Sequence, residues 1–206
     1  MIYGMWFNSS GGGGGGATSV GDLLQKTGQT TSYRTGDDGD IQAGRKVDFT
    51  TLKDNNPFGN TNRFTDELGG ATYANDIVID WSTYDGSTVL GYYRVFYSPV
   101  GTTDWNGYVD GGLAVSIGTF TSGWRMMNAR EAINIADYGS SPVYGYAPLN
   151  LGSNNIWTST TRPNSTGQAF YITSADGRLS AFNKTQASAF YSLAVRNFTV
   201  TGTTLS

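Results

Sequence analysis

The sequence predicts an α+β domain in which two helices accompany several short antiparallel strands. Runs of β-branched and aromatic residues, such as 77–81 and 169–172, are typical of strands. The Asp-Gly pairs at 85–86 and 176–177 are typical of tight turns between strands. Two further segments carry apolar residues at helical spacing. A chain of 206 residues suffices for one full-sized domain and a short appendage.

The appendage comprises residues 1–16, ahead of a domain that we place at 17–206. An apolar and aromatic peptide opens it and six glycines close it. A glycine run has no side chains to pack and can be a flexible linker. It can also be a stalk, because only glycine fits where chains crowd around an axis. We hypothesise an anchor and stalk, docked in an assembly or bundled with symmetry mates. The anchor residues are Tyr3, Met5, Trp6 and Phe7.

The N-terminus also lacks the basic residues that open a secretory signal. We therefore expect no signal peptide. A protein that acts outside the cell but has no signal peptide has few routes of export, and release inside a virion by host lysis is one of them. The alternative explanation for the absence of a signal is that the chain is processed or engineered.

The domain's strands follow in chain order. Residues 20–24 favour a turn into a short strand or a helical turn, and 36–40 favour a dense acidic turn. Residues 64–67 indicate a strand that runs into a hairpin at 68–70. The chain after residue 155 is typical of successive β-hairpins. The clearest strands are 77–81, 156–159, 169–172, 178–182 and 191–196.

The two helices differ in the strength of their signals. Residues 104–116 place apolar side chains every four positions, but three glycines each disfavour helix by about 1 kcal/mol relative to alanine. In the second helix Asn128 suits the N-cap and Glu131 completes a capping box. An apolar stripe follows and stops before Gly139.

Composition narrows the functional classes. Charged residues make up 14% of the chain, against about 25% in typical domains, and aromatic residues also reach 14%. Tyr and Trp provide large contacts at low entropy cost, so this composition favours a binding surface. The chain has no Cys and no His, which excludes disulfides, thiolate nucleophiles, His-based triads and conventional zinc sites. A glycosidase-like carboxylate pair is the chemistry that remains open, and we rank it last.

Charge and hydropathy narrow the partners. The net charge is −3, and the 13 basic residues are scattered, so we expect no nucleic-acid partner. No apolar run reaches the 18 residues that a membrane-spanning helix needs, so we expect no membrane insertion.

Six motifs follow one another along the chain and together cover about residues 26–198. They are 27–33 with 39–44, 63–66, 123–131, 157–161, 169–172 with 176–177, and Lys184 with 195–196. In these motifs and their order the chain resembles one family of lectin-like domains, an uncharacterised-function domain of phage tail-fibre and receptor-binding proteins and of trimeric collagen-like adhesins. The family is similar to the variable proteins of diversity-generating retroelements.

The resemblance implies a C-type-lectin-like fold, which is often trimeric. It also implies a binding scaffold whose exposed C-terminal loops meet a host target. The loops that bind sugar through calcium in true C-type lectins are absent, and Arg162 offers a cation where a metal needs a carboxylate. We therefore predict no cofactor and no metal. Clustered carboxylates at Asp37, Asp38 and Asp40 leave calcium open, although such clusters also make ordinary turns.

The candidate ligand-binding residues lie in a polar, turn-rich stretch between two strands and in the hairpin after it. The alternative is that the polar stretch is an ordinary solvated loop with no binding role. Phe190 and Tyr191 are the candidate aromatic platform. The predicted site residues are Asn154, Asn155, Arg162, Asn164, Ser165, Thr166, Gln168, Asn183, Gln186, Phe190 and Tyr191.

Other prominent residues have structural interpretations. We predict that Trp81, Trp124 and Trp157 pack in the core, and leave Trp105 and Tyr108 open. Asp76 and Asp80 flank an apolar run, and we expect them to cap strand ends, not to form an acid/base pair.

The sequence therefore predicts a non-catalytic, virion-displayed adhesion or receptor-binding protein. It would form a homo-oligomer, expected to be a trimer, and contact other virion proteins through its N-terminus. Its ligand would be a host cell-surface glycan or protein. The alternative is a structural or decoration protein of a phage particle, anchored by the N-terminal peptide.

Overall fold

The computed structural model describes residues 27, 29–35, 37–41, 48–97, 104–110, 113, 115–146, 148–185 and 190–206. The strands are β1 (Phe64–Thr65), β2 (Ile77–Asp80), β3 (Thr88–Tyr97), β4 (Arg125–Met126), β5 (Asn155–Thr161), β6 (Gln168–Thr173), β7 (Leu179–Asn183), β8 (Phe190–Thr201) and β9 (Thr204–Leu205). The helices are α1 (Asp38–Ile41), α2 (Trp105–Asp110) and α3 (Ala129–Asn134), and a 3-10 turn spans Trp81–Thr83. None of the helices among these residues is long and apolar enough to cross a membrane.

All nine strands of this part of the chain belong to one mixed sheet. Its order is β1-β2-β3-β8-β5-β6-β7, and β4 and β9 also pair with β8. The pairing of β5 with β8 is parallel, and every other pairing is antiparallel. The twelve-residue strand β8 therefore organises the sheet, since it pairs with four other strands.

The predicted α+β class with two helices is wrong, because the described structure is mainly β. Helices form at both predicted places, but each is only six residues long. Of the helix expected over 104–116, the structure describes α2 over Trp105–Asp110, and Leu113 is not helical. In α3 the capping box of Asn128 and Glu131 forms as predicted, yet the helix ends at Asn134.

The five clearest strands expected from the sequence form, with small shifts at their ends, whereas the strand expected at 64–67 is reduced to the two-residue β1. The strand or helical turn expected at 20–24 lies outside the described residues. The segment 77–81 becomes β2, and the segments after residue 155 become β5 to β8. The ten-residue strand β3 is the large element that the patterns missed. The acidic turn at 36–40 contributes to the single helical turn α1. The anchor residues Tyr3, Met5, Trp6 and Phe7 lie outside the described residues, so the domain boundary after residue 16 stays a prediction.

Apolar side chains cover both faces of the sheet. On one face, α3 and the segment 143–151 pack over residues such as Val78, Ile156 and Ile172. On the other, α2 and the segment 113–124 pack over residues such as Ile79, Trp157 and Phe198. The strand β2 and the central parts of β3, β5 and β8 are thus buried on both sides, which explains the unbroken apolar run at the start of β2. The predicted core positions of Trp81, Trp124 and Trp157 are confirmed, and Trp105 and Tyr108 are core residues too.

Candidate functional site

Three side chains form a hydrogen-bonded row across the ends of β5, β6 and β7. Gln168 pairs with Asn183 in the β6–β7 register, and the backbone N–H of Arg162 donates to the carbonyl of Gln168 at 3.0 Å. The Arg162 Nη1 donates to Gln168 Oε1 at 2.7 Å, and Gln168 Nε2 donates to Asn183 Oδ1 at 3.5 Å. Arg162 and Asn183 are exposed and Gln168 is half-buried. We call Arg162, Gln168 and Asn183 the polar row.

The loop between β5 and β6 is held by its own backbone. The Ser165 N–H donates to the Arg162 carbonyl at 3.1 Å, and the Gln168 N–H donates to the Ser165 carbonyl at 2.8 Å. The Lys184 N–H donates to the Gly167 carbonyl at 2.9 Å and ties the loop to the chain after β7. Ser165 is half-buried, whereas Asn164 and Thr166 are exposed at the tip. The loop therefore presents polar side chains on a supported backbone.

Lys184 connects this end of the sheet to α2. Its Nζ donates to Thr161 Oγ1 at 2.8 Å and lies 4.1 Å from the centre of the Trp105 ring. The Trp105 N–H in turn donates to the Lys184 carbonyl, and its indole N–H donates to the Thr158 carbonyl at 2.7 Å. A cation over an indole face is an attractive contact, so Lys184 is a supporting residue of the loop.

The structure separates Asn154, Asn155 and Tyr191 from the polar row. Asn155 begins β5, whereas Arg162 follows its last residue, and seven strand residues span roughly 20 Å. Asn154 also uses its side chain internally, since its Nδ2 donates to the Leu151 carbonyl at 3.2 Å. Because β8 runs parallel to β5, half-buried Tyr191 lies beside Ile156, near the start of β5.

Phe190 is not the exposed platform that the sequence suggested. Phe190 is only 7% exposed, and its ring stacks on the ring of Trp157 with the two centroids 4.5 Å apart. Tyr171 and Phe182 contact the same ring at centroid distances of 4.8 and 5.5 Å. Phe190 is therefore a core residue, and the parallel β5–β8 pairing is the reason. Gln186 lies outside the described residues.

A small cleft beside β5 was not anticipated from the sequence. It has a volume of about 220 Å³ and an apolar floor, with Arg125 and Ser159 as its polar members. Arg125 forms a two-point ion pair with Glu131, at 2.8 and 2.5 Å, and these hydrogen bonds raise the pKa of the guanidinium. The residues around this Trp124 cleft are Tyr108, Val109, Leu113, Trp124, Arg125, Met126 and Ser159.

The prominent carboxylates serve structural roles. Asp80 pairs with the buried Arg63 and caps the 3-10 turn through the Ser82 N–H, and Asp76 pairs with Arg94 at 2.7 Å. Asp37 accepts backbone N–H groups, the shortest from Tyr33 at 2.7 Å, and this hydrogen bonding lowers its pKa.

Within the described residues, no three or more His, Cys, Asp or Glu side chains are grouped to hold a metal ion. The side chain of Asp38, one of the three clustered aspartates at 37–40, lies outside the described part of the structure.

The sequence patterns located the loop of this candidate site and included all three residues of the polar row, but they grouped with it Asn155, Phe190 and Tyr191, which lie elsewhere. Polar turn residues between two strand patterns identified Arg162, Asn164 and Gln168, and the neighbouring hairpin supplied Asn183. The Trp124 cleft left no such signal, because its floor residues are apolar and are typical of a core. No protein-family model and no curated protein matches the chain, so its resemblance to the lectin-like family stays a prediction.

Proposed function

We propose that this protein is a non-catalytic adhesion or receptor-binding protein of a virion or comparable surface assembly. It recognises a cell-surface glycan or protein through the polar row and the loop tip beside it. The single observation that carries the proposal is the polar row itself, which is accessible and hydrogen-bonded across three strands.

The chemistry of the polar row suits polar ligands. The guanidinium of Arg162 donates hydrogen bonds, and the amides of Gln168 and Asn183 both donate and accept. Asn164 and Thr166 add two more polar side chains at the tip. Such a mixture matches the hydroxyl groups of a glycan or the backbone of a protein. Because the three side chains already bond to one another, binding orders few free rotamers, which favours affinity.

The absence of His and Cys from the whole sequence supports binding over catalysis. The carboxylates most deeply placed, Asp66 and Asp80, are occupied by backbone N–H groups and by Arg63. The virion setting and the trimeric assembly through residues 1–16 rest on the sequence resemblance and on the glycine stalk.

The test is binding of the full chain to a glycan array and to whole cells, with and without Arg162→Ala and Asn164→Ala together. We expect the double substitution to weaken binding at least about tenfold, because residues at the centre of a contact commonly contribute more than 1 kcal/mol each. The matched control is Arg178→Ala, which removes the same charge from an exposed arginine in the turn at the opposite end of β6.

Equal losses in both variants would contradict a site at the polar row. If the full chain binds no cell and no glycan but still assembles into particles, the structural or decoration role replaces this proposal. In that case removal of residues 1–16 abolishes assembly.

A further inference from the structure

A second, larger cleft lies away from the polar row, where three segments of chain meet. It has a volume of about 410 Å³ and is bordered by the loop after β1, the turn between Ile117 and Phe120, and the C-terminal hairpin of β8 and β9. We call it the Glu67 cleft. Its lining includes Glu67, Leu68, Asn75, Thr119, Phe120 and Leu205.

Glu67 is a buried acid with an unused oxygen. The residue is only 8% exposed, and its Oε1 accepts a short hydrogen bond from the Asn75 amide. Its Oε2 is shielded from solvent and receives no hydrogen bond from the described residues. No ion pair within the same part of the chain involves this carboxylate. An unpaired buried carboxylate oxygen is costly, so it calls for a partner that the described part of the chain does not supply.

Hydrogen bonds and close packing hold the backbone of the loop that carries Glu67. The neighbouring Asp66 accepts four backbone N–H groups, from Leu68, Gly70, Thr72 and Tyr73. Gly69 has a φ of +82°, and a Cβ there would lie 2.3 Å from the Phe58 ring. The loop conformation is therefore specified at several positions around Glu67.

Three apolar side chains line the same cleft as the acid. Leu68 is 80% exposed at the rim, and Phe120 and Leu205 are buried on the inner side. Thr119, Thr203 and Thr204 are exposed and add hydroxyl groups. A ligand that fits these features has a positively charged head for the carboxylate and an apolar stem for the walls.

We propose that the Glu67 cleft binds an alkylammonium or alkylguanidinium group. The cation lies against the Glu67 carboxylate, and its carbon stem lies along Leu68, Phe120 and Leu205. The terminal torsion of a glutamate side chain is soft, so the carboxylate can turn its unpaired Oε2 toward an entering cation, and the Asn75 amide adjusts as Oε1 moves with it. The group comes either from a small amine or from a lysine or arginine side chain of a protein partner. This inference is independent of the polar row.

The test is an NMR titration of the full chain with n-butylammonium and n-butylguanidinium at constant ionic strength, with 1-butanol as the neutral control. We expect the two cations to shift the backbone amide signals of Leu68, Thr119 and Leu205, and 1-butanol to shift them at least tenfold more weakly. Glu67→Gln keeps the size of the side chain and an acceptor for Asn75 but removes the charge. It should weaken cation binding at least tenfold.

Asp176→Asn is the matched control, since it removes an exposed acid on the β6–β7 turn and should leave the titration unchanged. Equal responses to n-butylammonium and 1-butanol, or no response to either, overturn the proposal. That comparison uses the unmodified chain and holds even if Glu67→Gln fails to fold. A further titration with Nα-acetyl-lysine amide separates the sources. Tighter binding than n-butylammonium assigns the cleft to a protein side chain, and equal binding assigns it to a small amine.

Discussion

Arg63 carries its charge inside the protein, where no part of its side chain is exposed. Its guanidinium donates to both oxygens of Asp80, at 2.9 and 2.8 Å, and to the carbonyl of Asn134 at the end of α3. The rings of Phe49 and Phe64 lie 4.4 and 4.5 Å from its central carbon. Burial alone lowers the pKa of Arg63, but the Asp80 carboxylate outweighs burial and raises it. At the residue scale, the Arg63–Asp80 ion pair links β2 to α3, because Asp80 ends β2 and Arg63 also donates to the Asn134 carbonyl.

We expect Arg63→Ala to lower the free energy of unfolding by about 3–5 kcal/mol, because it leaves Asp80 as an uncompensated buried charge. The comparison is Arg94→Ala, which breaks the partly exposed pair with Asp76 and should cost about 1 kcal/mol or less. Urea denaturation followed by tryptophan fluorescence measures both. Equal losses in the two variants would show that burial of the Arg63 pair does not matter.

Asp66 makes stability depend on acid pH. Burial raises the pKa of this carboxyl, but hydrogen bonds from the backbone of Gly70, Thr72, Leu68 and Tyr73 outweigh it and lower the pKa below 3.8. A folded-state pKa below the unfolded value means that the stabilisation is present above about pH 4 and is lost as the pH falls through the folded value.

We expect Asp66→Asn to reduce stability by about 1–3 kcal/mol at pH 7, because an amide nitrogen can no longer accept from Thr72 and Tyr73. The difference from the unmodified protein should shrink between pH 4 and pH 2, where the aspartate becomes protonated. Urea titrations at several pH values measure it. A difference that stays constant down to pH 2 would contradict the assigned hydrogen bonds.

At the element scale, the contact between β3 and β8 depends on one glycine. Gly91 pairs with Ile79 on β2 and with Arg196 on β8, and the Phe198 ring covers it. A Cβ at Gly91 would lie 2.5 Å from that ring, well inside van der Waals contact. Phe198 also packs edge-on against Phe120, so it has little room to withdraw.

Gly91→Ala should therefore lower the free energy of unfolding by about 1–3 kcal/mol through overpacking. Gly167→Ala is the matched control, because nothing lies within 4 Å of a Cβ at that position in the β5–β6 loop. Its effect should stay within about 0.5 kcal/mol. Thermal unfolding of both variants gives the comparison, and a neutral Gly91→Ala would mean that Phe198 can move aside.

At the scale of the whole molecule, the parallel pairing of β5 with β8 decides which residues can act together. The last residue of β7, Asn183, pairs with Gln168 beside the end of β5, whereas the first residue of β8, Phe190, pairs with Asn155 at the start of β5. Asn183 consequently stays with Arg162 and Gln168, whereas Phe190 enters the core and Tyr191 lies near Ile156. The same topology leaves the Glu67 cleft among three segments that are distant in sequence.

The sequence by itself determined the local features of this protein. The β-branched runs located β2 and the strands after residue 155, Asn128 and Glu131 formed their capping box, and Gly177 adopts the positive φ of its predicted turn. These features depend on neighbouring residues, whose backbone preferences and short hydrogen bonds act within a few positions.

Only the tertiary structure decided the fold class, which of the candidate site residues share a surface, and the buried pair of Arg63 and Asp80. Strand pairing and burial join residues far apart in the chain, and no short pattern records which strand will lie beside β5. The short helices also became a minor part of the fold because the sheet, covered on both faces, holds most of the core. The physical reason is that non-local packing, not local propensity, sets which side chains share a surface.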